Sequence, residues 1–145
     1  MDRTDYQILN LLQNDCRATL KVIGEQVGLT APAVSERIRR MEEAGVIRNF
    51  RLDVDRRQLD CNITGFILVA PEPDKYERFC RFCEKTPAIL SHSHTIGIFN
   101  AVLRFAVRDT QELDAILSSI KRYGNSQTSV ELGLYFDHKD IPLPG

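Results

Sequence analysis

Gly28 separates two short amphipathic stretches, and this break most restricts what the first third of the chain can become. Ahead of it, Thr19 is placed as the N-cap of a helix in which Leu20, Ile23 and Val27 share a face. A glycine just beyond such a helix takes the left-handed conformation that ends it at no steric cost. Beyond it Leu29 turns inward and Thr30 caps a third helix, with Pro32 in a first turn where its missing amide is not needed. Val34, Ile38 and Met41 then recur at i, i+4 and i+7, and Gly45 ends the run. Upstream, Thr4 and Gln7 form a candidate capping box for a first helix with Ile8, Leu9, Leu11 and Leu12 at helical spacing, closed by Asn14, Asp15 and Cys16. Three short helices with a tight glycine turn between the second and third describe a helix-turn-helix.

In that geometry the third helix offers its N-terminal, outward residues to a DNA major groove. Here these are Thr30, Pro32, Ala33, Ser35, Glu36 and Arg37, with Arg39 and Arg40 further along. Arginine bonds guanine edges or phosphates, serine bonds either, and proline or alanine touches a thymine methyl. Glu36 repels phosphate and can accept from a cytosine amine. Net charge is −1 over 145 residues, so charge alone does not point to nucleic acid. Position carries more information than the sum. Arg37, Arg39, Arg40, Arg48, Arg51, Arg56 and Arg57 fall in one stretch, with Glu42, Glu43, Asp53 and Asp55 interleaved.

After Gly45, VIRNFRLDVD alternates apolar and polar residues and reads as an extended strand or hinge rather than a helix, with a compositional break at 58–62. The second half then reads strand, helix, strand, strand, helix, strand. Thr64–Ala70 is a near-continuous apolar run. In Asp74–Lys85, Tyr76, Phe79, Cys80 and Cys83 share a helical face, and Pro87 ends it. Ile89–Ile96 and Phe99–Val107 flank Gly97 as a hairpin. Asp109 or Thr110 caps a helix carrying Leu113, Ile116, Leu117 and Ile120, and Val130–Phe136 alternates as a last strand. The order βαββαβ is the ferredoxin-like split arrangement, with two helices on one side of an antiparallel sheet. Its open sheet face calls for a partner, so a dimer is expected.

The run MDRTDYQILNLL, then VIGEQVGLTAPAVSERIRRMEEAGVI, then the βαββαβ half resembles the leucine-responsive/asparagine-regulator family, Lrp/AsnC, over essentially the whole chain. The most specific stretch is Gly28–Ile47. The fold class expected is α+β: an N-terminal three-helix winged-type helix-turn-helix domain over 1–49, a hinge over 50–61, and a ferredoxin-like domain over 62–145. The resemblance implies a sequence-specific DNA-binding transcription regulator, with double-stranded DNA and self as partners. It also implies dimers that join into octamers, and an amino acid or related small metabolite held between dimers. The family's loop after the second sheet strand reads Gly-x-x-Asp, matched here by Gly97, Ile98, Phe99 and Asn100. Asn100 replaces the carboxylate by an amide, a neutral acceptor with two donors. The family's Thr-x-Thr on the last strand is matched, across a small gap, by Ser126 and Thr128. Regulation without an effector is the variant to exclude.

Other reactive residues read as structural. Cys80 and Cys83 lie on the apolar helix face without a second CxxC, which favours core packing over metal or redox chemistry. Cys16 and Cys61 are single thiols. His92 and His94 share one side of a strand, but a third metal ligand is not evident near them, and His138 is far along the chain. Arg104, inside an apolar strand, is expected to pair across an interface or to snorkel. The chain carries no phosphate-binding glycine loop, no nucleophile elbow and no convincing carboxylate pair, so neither enzyme chemistry nor a cofactor is expected. No apolar run approaches the length of a membrane span and the start is polar, so a cytoplasmic protein is expected.

Overall fold

A computed structural model of the chain describes residues 1–136 and 139–143, Arg57 by its backbone alone. The Arg57 side chain and His138, both named above, lie outside the described residues. Two compact units are present: residues 1–53 with the tail from 136 onward, and residues 54–135.

The first unit holds α1 (Arg3–Asn14), α2 (Leu20–Val27) and α3 (Ala31–Glu43). The cap of α1 sits two residues before the expected one. Asp2 is the N-cap, and its carboxylate and that of Asp5 each accept from the other's amide, so two acids close the box in place of Thr4 and Gln7. Thr19 caps α2 by accepting from the Val22 amide, and Gly28 ends that helix at φ 70°. Thr30 is the N-cap of α3 by backbone shape only, without a side-chain cap bond. Ile8, Leu12, Ile23, Val34 and Met41 form the buried core, with Leu9, Leu11, Val27 and Ile38 packed against it. Leu20, expected on the inner face of α2, is exposed.

Around the boundary of the two units, residues 48–55 form no strand among the described residues, and Arg56–Leu59 is a short 3-10 turn. Phe50, Leu52 and Val54 are exposed. The alternation is present in the sequence, but a strand needs a neighbour for its amides and carbonyls, and none pairs with this segment among the described residues. The tail returns to the helical unit: the Gln13 side-chain amide donates to the Ile141 carbonyl at 3.3 Å and accepts from its amide at 2.9 Å.

The second unit contains β1 (Ile63–Pro71), α4 (Tyr76–Lys85), β2 (Ile89–His94), β3 (Ala101–Val107), α5 (Thr110–Ile120) and β4 (Gly124–Val130). The sheet order is β2-β3-β1-β4, antiparallel throughout, which is the ferredoxin-like topology. Asp109 caps α5 by accepting from the Glu112 amide. Alternate residues of β1 and β3, among them Ile67, Val69, Leu103 and Phe105, are buried with Phe79, Cys83, Leu113, Ile116 and Ile120. One expected element moves. The last strand is GNSQTSV, not Val130–Phe136, and Leu132 and Tyr135 are fully exposed. As an edge strand, β4 is held by its ladder to β1 rather than by apolar burial, so a hydrophobic pattern overlooks it.

Candidate nucleic-acid interface and effector loop

The α3 helix is presented by the core beneath it. Val34 and Met41 are buried, Ile38 half-buried, and the opposite flank carries the polar residues. Thr30, Pro32, Ser35, Glu36, Arg39 and Arg40 are exposed, and Ala33 is half-buried. A second glycine sets the angle of presentation. An added Cβ on Gly24 would lie 2.4 Å from the Leu29 carbonyl oxygen, and the Leu29 amide donates to the Gly24 carbonyl at 2.9 Å. Gly24 escaped the sequence reading; its signal was a glycine inside a helical stretch, one turn before the helix-ending Gly28.

The arginines of α3 differ in what they touch. Arg39 donates to Glu36 at 2.6 and 2.9 Å and also pairs with Glu43, so its charge is met along its own helix. These carboxylates raise the Arg39 pKa, and in return the Arg39 bond holds Glu36 below its ordinary range. Arg37, expected at the groove, is paired with two acids of the first helix. Its Nη1 lies 2.7 Å from Asp2 Oδ2 and 2.7 Å from Asp5 Oδ1, both at the start of α1. Arg40 is exposed near the helix end.

In the second unit, residues 95–100 link β2 to β3, closed by the Thr95 amide donating to the Asn100 carbonyl at 2.9 Å. Gly97 and Ile98 are exposed, Phe99 and Asn100 half-buried, and the Asn100 Oδ1 is buried without a hydrogen-bond partner. Ser126 and Thr128 lie on β4, opposite Val69 and Ile67 of β1. Val69 also faces Ala101, so β1 stands between the Asn100 end of β3 and the two β4 residues. At about 4.8 Å per strand, the two groups are roughly 10 Å apart across the sheet. One chain brings them to the same end of the sheet without joining them.

Cys80, Cys83, His92 and His94 lie where α4 packs on β2, while Cys16 follows α1 and Cys61 precedes β1. Tyr76 Oη is 2.7 Å from His94 Nδ1, and the His92 ring meets Phe79 edge-on at 5.3 Å. Burial, and next the nearby Cys80, pushes the buried Cys83 thiol up to about 12, so it is a protonated core group. Among the described residues no cluster of three or more histidine, cysteine or acidic side chains is placed to hold a metal. Arg104 is half-buried on β3, opposite Phe66 and Ser91.

Residues 1–42 match the model of the AsnC-type helix-turn-helix domain, and residues 64–141 that of the Lrp/AsnC ligand binding domain. The chain belongs to the Lrp/AsnC family. Among its relatives, the HTH-type transcriptional regulator FL11 of Pyrococcus horikoshii is 30% identical over 146 residues, covering 99% of this chain and 97% of that protein. Two solved structures share the fold. LrpC of Bacillus subtilis superposes with a TM-score of 0.87 at 24% identity, over 96% of this chain and 99% of that one. NMB0573 of Neisseria meningitidis, solved in complex with L-Met, gives 0.89 at 23%, over 98% and 96%. This Lrp/AsnC protein is thus a helix-turn-helix transcriptional regulator, with its DNA-binding motif in the first unit and its ligand-binding domain in the second. No helix among the described residues is long and apolar enough to cross a membrane.

Proposed function

We propose that α3 enters the major groove through Thr30, Pro32, Ala33, Ser35, Glu36, Arg39 and Arg40, with two chains reading the halves of a pseudo-palindromic site. The observation that carries this reading is the exposed polar flank of α3 standing over a buried apolar face on α1 and α2. Arg40 supplies a phosphate contact, and Ser35 a bond to a base or a phosphate. Arg39 contributes less charge than its type suggests, because Glu36 and Glu43 already meet it. Arg37 is turned toward Asp2 and Asp5 and is left out of this set. Neither catalysis nor a cofactor is part of the reading.

Dimers form across the open sheet face and join into an octamer, and a small metabolite binds where dimers meet. Gly97, Ile98, Phe99, Asn100, Ser126 and Thr128 line that site. The separation of the two groups within one chain favours a site completed by a neighbouring chain. The L-Met complex of NMB0573 supports an amino acid or a close relative as the ligand class. Asn100 offers its amide where a carboxylate would pair with an ammonium, so hydrogen bonds select the ligand more than charge does.

Selection of bound genomic fragments, with and without a pool of amino acids and related metabolites, tests both halves. Retention of fragments sharing half-sites spaced by about one helical turn is the expected result. Retention that is indifferent to sequence overturns groove reading, and a fragment set that no metabolite changes supports regulation without an effector. Arg40→Ala should lower affinity for the selected site uniformly across sequences. It should also reduce the slope of log affinity against log salt by about one per contact removed.

A further inference from the structure

We propose that Arg37 is a positioning residue that sets the recognition helix on the first helix, and that it does not itself contact DNA. The inference rests on the reading of α3 as the groove element. It begins from Asp5, a charged residue buried at 7% exposure, its side chain 11% exposed. A buried carboxylate is costly unless it is paired and hydrogen-bonded. Asp5 has both. Its Oδ2 accepts from the Asp2 amide at 2.9 Å, and its Oδ1 accepts from Arg37 Nη1 at 2.7 Å. Asp2 mirrors it: Oδ1 accepts from the Asp5 amide at 2.9 Å, and Oδ2 accepts from the same Arg37 nitrogen at 2.7 Å. Each acid spends one oxygen on the helix cap and the other on α3.

The result is a closed loop of bonds joining the start of α1 to the middle of α3, across 35 residues of sequence. Arg37 lies at i+3 from Val34 and i−4 from Met41, both buried, so it stands on the shoulder of the packed face. Its side chain is 22% exposed, against 55% for Arg39, which lies along the outer flank. Two anionic partners that are themselves tied to backbone amides fix the guanidinium closely. An arginine free to follow a phosphate is not built this way. The van der Waals contacts of Val34 and Met41 hold α3 down, and the clasp resists its rotation about its own axis. A few degrees of such rotation would carry Ser35 and Arg40 out of register with the bases.

Asp2→Asn and Asp5→Asn test this in the intact protein, because asparagine keeps the capping acceptor and removes the charge. Affinity for the selected site should fall by about fivefold in each, the size of an ordinary pairwise coupling, while circular dichroism shows full folding at the assay temperature. Arg37→Met should fall by a similar factor, with the salt slope unchanged and the loss spread over all base positions. The triple variant should be no worse than Arg37→Met alone. A rise in affinity for Asp2→Asn overturns the proposal, because it means that the carboxylates restrain a DNA-contacting arginine. So does a salt slope shallower by about one in Arg37→Met, the mark of a phosphate contact, or a preference lost at a single base position. Unchanged affinity in folded variants reduces the clasp to a purely structural bond and overturns it equally. Wild-type protein that retains no fragment sinks the DNA reading itself and the positioning role with it, a result distinct from a wild type that binds and variants that match it.

Discussion

At the scale of single residues, the polar side chains that matter are those whose partners lie far off in sequence. Asp5 and Arg37 are 32 positions apart, and nothing in either neighbourhood announces the pair. Local pattern sets Arg37 among the groove candidates Ser35, Glu36, Arg39 and Arg40, and only the packing of α3 against α1 reveals its pairing with Asp2 and Asp5. His92 shows the same dependence on packing. Burial beside the Phe79 ring, and next the proximity of His94, holds its pKa below the ordinary 6.5, and its Nε2 is buried without a partner. Well above pH 6.5 neither the folded nor the unfolded form of His92 is charged, so the residue leaves stability unaffected there. As pH falls through 6.5 the unfolded chain takes up the proton first, and stability declines until the folded imidazole also protonates. Urea midpoints measured at about pH 7.5 and about pH 5.5 should therefore drop toward acid in the wild type. His92→Phe keeps a ring against Phe79 and should make that drop smaller; an equal drop in both proteins would exclude His92 as its source.

At the scale of elements, the sequence was most legible where periodicity and burial coincide. The α1–α3 faces, the apolar β1 and the α4 and α5 stripes follow from spacing alone, and so does the order βαββαβ. Legibility failed at β4, whose residues Gly124–Val130 are largely polar and pair through the backbone, while the apolar alternation beyond Val130 forms no strand among the described residues. It failed again at the turn between α2 and α3, where Gly28 was conspicuous and Gly24 was not. The two glycines serve differently. Gly28 sits at φ 70° with open space around its α-carbon, so a side chain there costs only backbone strain. Gly24 has ordinary helical backbone, and alanine would gain about 1 kcal/mol of helix propensity there. That gain is outweighed, because the new methyl would meet the Leu29 carbonyl at 2.4 Å and force the turn open, at about 1–3 kcal/mol or more. Gly24→Ala should lower the unfolding midpoint of the helical unit by about 5 °C, and Gly28→Asn by less, since asparagine tolerates the left-handed region. A scan that reverses this order would show that conformation, not close approach, governs the turn.

At the scale of the whole molecule, the open face of the sheet and the near-neutral charge bear on the same question. Rows Ser91–Arg104–Phe66–Ser129 and Ser93–Val102–Leu68–Gln127 cross the face away from the helices, with Phe66, Leu68 and Val102 beside Arg104 on the central strands and serines and a glutamine on the edge strands. Phe66 is 39% exposed there, a large ring left in water by a single chain. Apolar side chains around an arginine, rimmed by small polar residues, are the composition of a protein interface, and a two-fold pairing would set Phe66 near its own copy. DNA affinity depends on that pairing for a physical reason. With a net charge of −1, and with Arg37 and Arg39 already matched by carboxylates, each α3 brings few counterion-releasing contacts, so a lone helical unit binds weakly. Linking two units makes the second contact intramolecular and multiplies the affinity without new bonds. Phe66→Glu puts a charge at the centre of the face and leaves every α3 residue untouched. It should shift sedimentation toward the single chain and weaken binding to a two-half-site fragment by about a hundredfold, while binding to a single half-site stays as it was. If sedimentation is unchanged, the chains pair through another surface. If half-site binding falls as well, the substitution has reached the helical unit, and the separation of assembly from recognition fails.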